Sequence, residues 1–317
     1  MKSNNIGGYF ELELNSFEEY HCQAIRLNTA RNAFEYILKA KGYQSVYLPF
    51  FTCDAMLEAV RKLNIQIHFY SIDEMFRPIF NFSIIEKNGV FVYTNYFGIC
   101  DTQVLEVHQK CENLIIDNAQ AFFSAPLPNV DTIYSPRKFF GVPDGAYLYT
   151  NQEMGAEFEQ DVSLDRFEHL LGRIEKGAEE YYNSFKKNDE KLSLQPIRKM
   201  SKLTKYLLSG INYENASNVR RGNFTYLHEK LKSNNSLKFE LGCNEVPLVF
   251  PYLANNGQEL KKKLIDNNIF VPTYWPNVLV DTKHETVEYN FSKNIVSLPI
   301  DQRYSLVEMD RIINLIA

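Results

Sequence analysis

An α/β fold built on a mainly parallel sheet is the architecture this sequence predicts. Three observations predict it. Short apolar runs rich in β-branched and aromatic residues recur between residues 45 and 150. Segments with helical apolar spacing separate most of them. Pro49, Asn95, Asp117 and Ser135 stand where four of those runs end. Strands alternating with helices at this spacing read as βαβ units. In such sheets functional residues gather at the carboxyl ends of the strands.

Ile6-Gly7-Gly8-Tyr9-Phe10 opens the ordered part. Its glycine pair permits a tight turn or a close approach to another surface, and it is a candidate for a segment near the mouth of a site. Glu11-Leu12-Glu13-Leu14 alternates like a strand. Residues 30–40 carry Ala30, Ala33, Phe34, Ile37 and Leu38 at helical spacing, with Asn28 or Thr29 as N-cap. The start of that helix offers backbone N–H groups that suit a phosphate. Arg31 in the first turn opposes the helix dipole. An anion held nearby would remove the conflict; a simply exposed arginine is the other reading.

Residues 45–49 read as a strand and 52–63 as a helix with Met56, Leu57, Val60 and Leu63 on one face. Strands follow at 65–70 and 89–94, a helix at 101–110, and strands at 113–117, 131–134 and 146–150. Residues 154–190 are charged and helical, with Leu164, Phe167, Leu170, Leu171 and Ile174 as an apolar stripe. The run 186–191 is a polar break, a solvated loop or helix end. Helices are predicted at 213–231, 257–266 and 305–316, the last capped by Ser305, and strands at 245–251 and 294–298. The chain thus divides into a large α/β domain, 1–212, and a small C-terminal α+β domain, 213–317. Tyr274-Trp275-Pro276 holds the only tryptophan and reads as an anchor between them, with a substrate-side wall as the other reading.

Composition narrows the function. The chain has 317 residues, 45% hydrophobic and 23% charged, as ordinary globular proteins have. A net charge of -5 gives no electrostatic case for nucleic acid or an anionic membrane. The five cysteines, Cys22, Cys53, Cys100, Cys111 and Cys243, form no CxxC pair, which argues against a disulfide framework and a zinc site. Met1-Lys2-Ser3-Asn4-Asn5 is followed by no apolar run, and no stretch reaches the length of a membrane span. The expectation is a cytoplasmic protein. No G-x-G-x-x-G or P-loop follows any strand, which weighs against a plain nucleotide-binding protein.

Two stretches carry chemistry. The first is Ser135-Pro136-Arg137-Lys138-Phe139-Phe140-Gly141, continuing through Val142-Pro143-Asp144-Gly145. Its lysine lies in an aromatic turn, where an amine is expected to be partly desolvated and its pKa lowered. A Schiff-base lysine needs that environment, since only the neutral amine attacks a carbonyl. A surface hairpin lysine is the plainer reading. The second stretch is Ile115-Ile116-Asp117-Asn118-Ala119-Gln120-Ala121, a buried strand ending in a carboxylate. Asp117 can cap a helix, or it can face a cationic ring nitrogen. Pyridoxal phosphate needs a lysine for its aldehyde, a carboxylate for its pyridinium, and a helix N-terminus with hydroxyls for its phosphate. The helix start at Ala30, then Asp117, Ser135 and Lys138, supply these in order.

With these groups in place the chain resembles the DegT/StrS-type sugar aminotransferases, pyridoxal-phosphate-dependent transferases of fold-type I. Thr29-Ala30-Arg31-Asn32-Ala33-Phe34 resembles the family's phosphate loop, and Leu48-Pro49-Phe50-Phe51-Thr52-Cys53 its Pro-x-Phe-Thr-aromatic turn. Asn95-Tyr96-Phe97-Gly98 is similar to its His-Leu-Tyr-Gly, Asp117-Asn118-Ala119-Gln120-Ala121 to its Asp-Ala-Ala-Gln-Ala, and Lys138 through Gly145 to its lysine followed by Gly-Glu/Asp-Gly-Gly. Ser297-Leu298-Pro299-Ile300 is similar to its Leu-Pro ending. The resemblance implies a mainly parallel seven-stranded sheet with helices on both faces, a small C-terminal domain and a homodimer.

It also implies roles. Lys138 would be the catalytic lysine bonded to the cofactor, moving the proton between substrate and cofactor. Asp117 would hold the pyridine nitrogen protonated. Ala119 would pack on a ring face and Gln120 would sit at the ring hydroxyl. Ala30 and Arg31 would give backbone N–H groups to the phosphate, and Ser135 a hydroxyl. The partners implied are an amino donor, glutamate by the resemblance, and a carbonyl acceptor such as a nucleotide-linked keto-sugar.

The chain departs from the family in four places. Ser135 stands three residues before the lysine rather than five. Cys53 takes the place of the stacking aromatic, so either another ring, Phe51 or Tyr96, stacks on the cofactor or the cofactor is held differently. Asn95 replaces a histidine. The region between Thr150 and Ala216 is short, and Gly210-Ile211-Asn212-Tyr213 only echoes the family's loop toward the neighbouring subunit. Two alternatives stay open: a non-catalytic or regulatory binding protein on this fold, and a pyridoxal-phosphate enzyme of another reaction type. In the family's sugar dehydratases a histidine replaces the lysine, so Lys138 weighs against that branch.

Overall fold

The computed structural model describes residues 6–316. The expectation drawn from Met1–Asn5 lies outside the described residues. Along the chain come β1 (Ile25–Leu27), α1 (Ala30–Lys41), β2 (Ser45–Pro49), α2 (Asp54–Lys62), β3 (Gln66–Ile72), β4 (Pro78–Ile79), β5 (Gly89–Thr94), α3 (Asp101–His108), β6 (Leu114–Asn118), β7 (Asp131–Tyr134) and β8 (Ala146–Tyr149). They form a sheet in the order β1-β8-β7-β6-β5-β2-β3-β4. Neighbours from β3 through β2, β5 and β6 to β7 pair in parallel. β8 runs antiparallel to both β7 and β1. The carboxyl ends of β1, β2, β5, β6 and β7 therefore share one edge.

The sheet has eight strands rather than seven. β4 is a two-residue edge strand antiparallel to β3, too short to show alternation in the sequence. Residues 11–14 are not a strand: they lie in an irregular, exposed segment. Their alternation of two glutamates with two leucines meets no partner edge, and β1 takes the outer position instead.

The central strands alternate between two cores. Val46, Leu48, Val90, Val92, Ile115 and Ile133 meet Phe34, Ile37, Leu57 and Val60 of α1 and α2. Tyr47, Phe91, Tyr93, Ile116 and Tyr134 face the other way, toward Val104 and Val107 of α3 and the C-terminal elements. Each such side chain contributes about 1.5–3 kcal/mol by leaving water. α1 is held at both ends. Thr29 is its N-cap, accepting from the Asn32 N–H, and Gly42 closes it in the left-handed region at φ 66°.

The C-terminal elements are α4 (Glu168–Lys176), α5 (Tyr182–Lys191), α6 (Lys202–Ser209), α7 (Tyr213–Leu231), β9 (Phe250–Leu253), α8 (Gly257–Asp266), α9 (Val278–Asp281), α10 (Val287–Asn294), β10 (Ile295–Leu298) and α11 (Leu306–Ile316). β9 and β10 form an antiparallel pair. Ser305 caps α11: its N–H and hydroxyl both donate to Glu308, each at 2.7 Å, and its Oγ accepts from the Val307 N–H at 3.3 Å. Trp275 is buried at the joint with the large sheet, edge-on to Phe51 at 4.4 Å and 5.6 Å from Tyr96.

Two expectations in this half are corrected and one is narrowed. The stripe of 164–174 is not core: Leu164 and Ile174 are 82% and 80% exposed, and Leu171 is exposed too. α4 buries His169 and Gly172 instead, because Tyr181 folds against Gly172. Of the two readings of residues 186–191, the helix end holds: they close α5. The strand expected over 245–251 begins only at Phe250; Leu248 ahead of it donates its N–H to Phe97 O, outside the β9–β10 pair.

Candidate active site

The sheet order brings the sequence-predicted residues to one edge. Asp117 lies near the carboxyl end of β6, 6% exposed, and its Oδ1 accepts from the Ala119 N–H at 2.9 Å. Burial pushes its carboxyl above the usual range; the charge of Lys138 and the Ala119 N–H pull it back. Cys53, N-terminal to α2, has its thiol pushed up by burial, lowered by Lys138 and raised by Asp117. Asp117, Cys53 and Lys138 thus come close enough to feel one another's charges.

Lys138 ends a single 3₁₀ turn, Pro136–Lys138, after β7. The expectation of a desolvated amine is corrected: Lys138 is exposed. The aromatic neighbours that suggested desolvation, Phe139 and Phe140, turn inward and are themselves buried. Asp144, further along the turn, is fully buried. It accepts from the Ser201 N–H at 2.8 Å, the Ser201 hydroxyl at 2.7 Å and the Thr204 hydroxyl, and so anchors the start of α6. Gly145 follows at φ 114°; a Cβ there would meet Thr204 Cγ2 at 3.0 Å.

Gln120 is completely buried. Its Oε1 accepts from the Phe97 N–H at 2.8 Å, while its Nε2 has no partner among the described residues. A buried amide donor without an acceptor is costly unless a ligand supplies one. Gly98 makes this approach possible: a Cβ there would meet Gln120 O at 2.9 Å.

At the start of α1, the Asn32 N–H is taken by Thr29 Oγ1 and the Ala33 N–H by Thr29 O. The N–H groups of Ala30 and Arg31 remain without a hydrogen-bond partner among the described residues. Ser135, at the end of β7 on the same edge, is buried and caps nothing with its hydroxyl. The choice of cap is settled: Thr29 caps, while Asn28 bonds Pro196 O and the Arg198 N–H. The anion that balances the Arg31 side chain is protein: Glu58 of α2, at 2.9 Å.

Two further departures have structural answers. Phe51 and Tyr96 are fully buried and packed on each other and on Trp275, so neither is available to stack on a ligand. Asn95 holds the start of α3, its Nδ2 donating to Asp101 Oδ1 at 2.7 Å and its Oδ1 accepting from the Cys100 N–H. Gly7–Phe10 is exposed, with open space around both glycines. Tyr213 stacks on Phe122 of its own chain at 5.9 Å. The sequence reading missed Arg137, whose guanidinium is lowered by burial, raised by Asp189 and lowered again by Arg31. Its place beside Lys138 in the motif is the signal that could have found it.

No protein-family model matches the chain, and no curated protein matches it. Solved structures do. DesV of S. venezuelae is 16% identical, with 92% of this chain and 83% of that chain covered, at a TM-score of 0.64. A DegT DnrJ EryC1 StrS aminotransferase from Brucella abortus is 18% identical, covering 92% and 84%, at 0.57. The E. coli GDP-4-keto-6-deoxy-D-mannose-3-dehydratase with bound hydrated PLP is 12% identical, covering 93% and 87%, at 0.64. The chain has the fold-type I architecture, and its resemblance to the DegT/StrS-type proteins is one of fold as well as of motif.

Proposed function

We propose that this chain is a pyridoxal-phosphate-dependent aminotransferase that moves an amino group from an amino acid, glutamate by expectation, to a keto-sugar or related carbonyl compound. One observation carries the reading. Asp117 and Lys138 lie close enough to feel each other's charge, and Gln120, three residues after Asp117, keeps a buried donor unbonded. The three share no structural duty. The donor set fits the cofactor: a buried carboxylate for a ring nitrogen, an amide donor for a ring hydroxyl, and two N–H groups with a hydroxyl for a phosphate.

In this reading Asp117 holds a proton on the ring nitrogen, whose charge would in turn compensate the buried carboxylate. Gln120 Nε2 donates to the ring hydroxyl. Ala119 and Cys53 pack against the ring, and Ala30, Arg31 and Ser135 hold the phosphate. Pyridoxal phosphate supplies an electron-withdrawing ring that acidifies the Cα–H of an attached amino acid. Lys138 Nζ would take a proton from the substrate and give it back, one amine serving as both base and acid.

A dehydratase is the second reading, favoured by the likeness to the E. coli enzyme. Lys138 weighs against it. The same proposal includes a homodimer, a division of the chain near residue 212, and a cytoplasmic enzyme without nucleic-acid partners. Among the described residues no helix is long and apolar enough to cross a membrane.

The test is the visible absorption spectrum of the protein with pyridoxal phosphate, repeated with Lys138→Ala and after adding glutamate. A band that needs Lys138 and bleaches with glutamate is expected. A Lys138-dependent band indifferent to every amino donor would reopen the reaction type. Its complete absence would leave a binding protein on a borrowed fold.

A further inference from the structure

The largest fully buried side chain in the molecule is charged. Arg220 of α7 is 1% exposed, and no carboxylate lies within ion-pair distance of it among the described residues. Burial pulls its pKa down to about 10, with Asp301 partly opposing. Its donors go to neutral acceptors. Nε donates to Gln302 Oε1 at 2.9 Å, and one terminal nitrogen to Leu248 O at 2.9 Å and Pro247 O at 3.3 Å. The other donates to Phe139 O at 3.3 Å. The guanidinium also lies 4.6 Å from the centre of the Phe139 ring. Gln302 Nε2 donates to the same Phe139 carbonyl at 2.9 Å.

These contacts reach both halves of the candidate site. Phe139 directly follows Lys138. Leu248 donates its N–H to Phe97 O at 2.8 Å, and the Phe97 N–H donates to Gln120 Oε1 at 2.8 Å. A buried cation is costly to keep, and replacing it with an apolar side chain is often neutral or stabilising. Packing alone therefore does not account for an arginine here. Its planar fork does what methionine or lysine cannot: it grips two separate strings of carbonyls in fixed geometry. We propose that Arg220, with Gln302, is a positioning residue that braces the Lys138 turn against the Phe97–Gln120 segment. The inference rests on the reading of Lys138 and Gln120 as cofactor-facing groups.

The test begins on the cofactor-free protein, by amide hydrogen exchange. The Phe139 and Phe140 N–H groups both bond Pro136 O, at 3.0 and 2.8 Å, and report on the turn. In Arg220→Met these amides are expected to exchange about tenfold faster, with the amides of β5 and β6 unchanged. With pyridoxal phosphate, the Lys138-dependent band of Arg220→Met is expected to form about threefold more slowly, since the turn that carries the amine is no longer held. Arg220→Lys, which keeps the charge but not the fork, should behave as Arg220→Met in both readouts. Gln302→Leu leaves the buried charge in place and should give a smaller exchange change at the same amides, so the brace is testable even where Arg220→Met does not fold.

Unchanged exchange at the turn overturns the brace, as does faster exchange spread evenly over the sheet with an unchanged rate of band formation, the mark of a merely structural arginine. A wild-type protein with no Lys138-dependent band overturns the proposed function instead. The exchange data then still decide whether the brace exists.

Discussion

Two lysines, Lys138 and Lys261, exchange the properties that the sequence suggests for them. Lys138 lies in an aromatic turn yet stands exposed. Lys261, in the charged stretch Lys261-Lys262-Lys263 of α8, is buried, and burial takes its pKa down to about 8. Lys261 donates to Ser292 O at 3.2 Å and Lys293 O at 3.1 Å, carbonyls at the end of α10. A cation there meets the negative end of the helix and satisfies carbonyls that the helix cannot. The buried amine is thus a helix cap, and the exposed one faces the candidate site. Burial alone does not identify chemistry; the groups that share the edge with the amine do.

That contrast breaks most sharply at Lys138 itself. We expect Lys138→Ala to lose the visible band and to cut amino transfer about 10²–10⁴-fold. Its folding stability should stay within ~0.5 kcal/mol of wild type, as for an exposed site. Lys261→Met should keep band and transfer. If it loses them while Lys138→Ala does not, the assignment of the two amines is reversed.

Asp117→Asn comes next. Transfer should fall by about 10²-fold, the size usual for one preorganised charge. The cofactor-free variant should be no less stable than wild type at neutral pH. A carboxyl whose folded pKa is raised costs stability above that pKa, and the cost fades as pH falls toward the unfolded value. A urea midpoint that drops in Asp117→Asn at neutral pH would make the aspartate a structural residue.

The third prediction sharpens the other side. The folded pKa of Lys261, about 8, lies below its ordinary 10.5. The unfolded chain therefore binds the proton more readily, and the penalty is fully present below about 8 and fades as pH rises toward 10.5. Subtracting the pH–stability curve of Lys261→Met from that of wild type should leave a rise over this window. A flat difference would mean that Lys261 is not desolvated. The smallest effect is expected at Ser135→Ala: cofactor affinity weaker by about three- to tenfold, one hydrogen bond's worth, read by titrating the visible band.

The strands of the sheet were legible because alternation and strand ends are local properties of the sequence. So were α7 and α8, whose bounds match expectation. The edge that gathers Asp117, Gln120, Ser135 and Lys138 followed from placing motifs at strand ends. What could not be read is what covers a face. The spacing of Leu164, Leu171 and Ile174 gives a stripe, but no period says whether anything packs on it. Partners distant in sequence were equally hidden. Glu58, which neutralises Arg31, lies 27 residues away, and Gln302, which meets Arg220, lies 82 away. Phe139 and Phe140 misled about Lys138 because adjacent side chains in a tight turn point different ways.

The position of β1 has a consequence for how the molecule is made. Its one neighbour is β8, more than a hundred residues later, and its other edge is met by the segment around Arg198–Met200: the Asn28 N–H bonds Arg198 O and the Met200 N–H bonds Arg26 O. The strand that launches α1 therefore leaves the ribosome first and finds its last neighbour only when some two-thirds of the chain has followed. Until then the N-terminal stretch is a long loop waiting to close, a slow kind of contact. Stalled nascent chains should show the difference: with residue 200 still inside the exit tunnel, the β2–β7 block can assemble while residues 25–29 stay open to protease, and further elongation should close them.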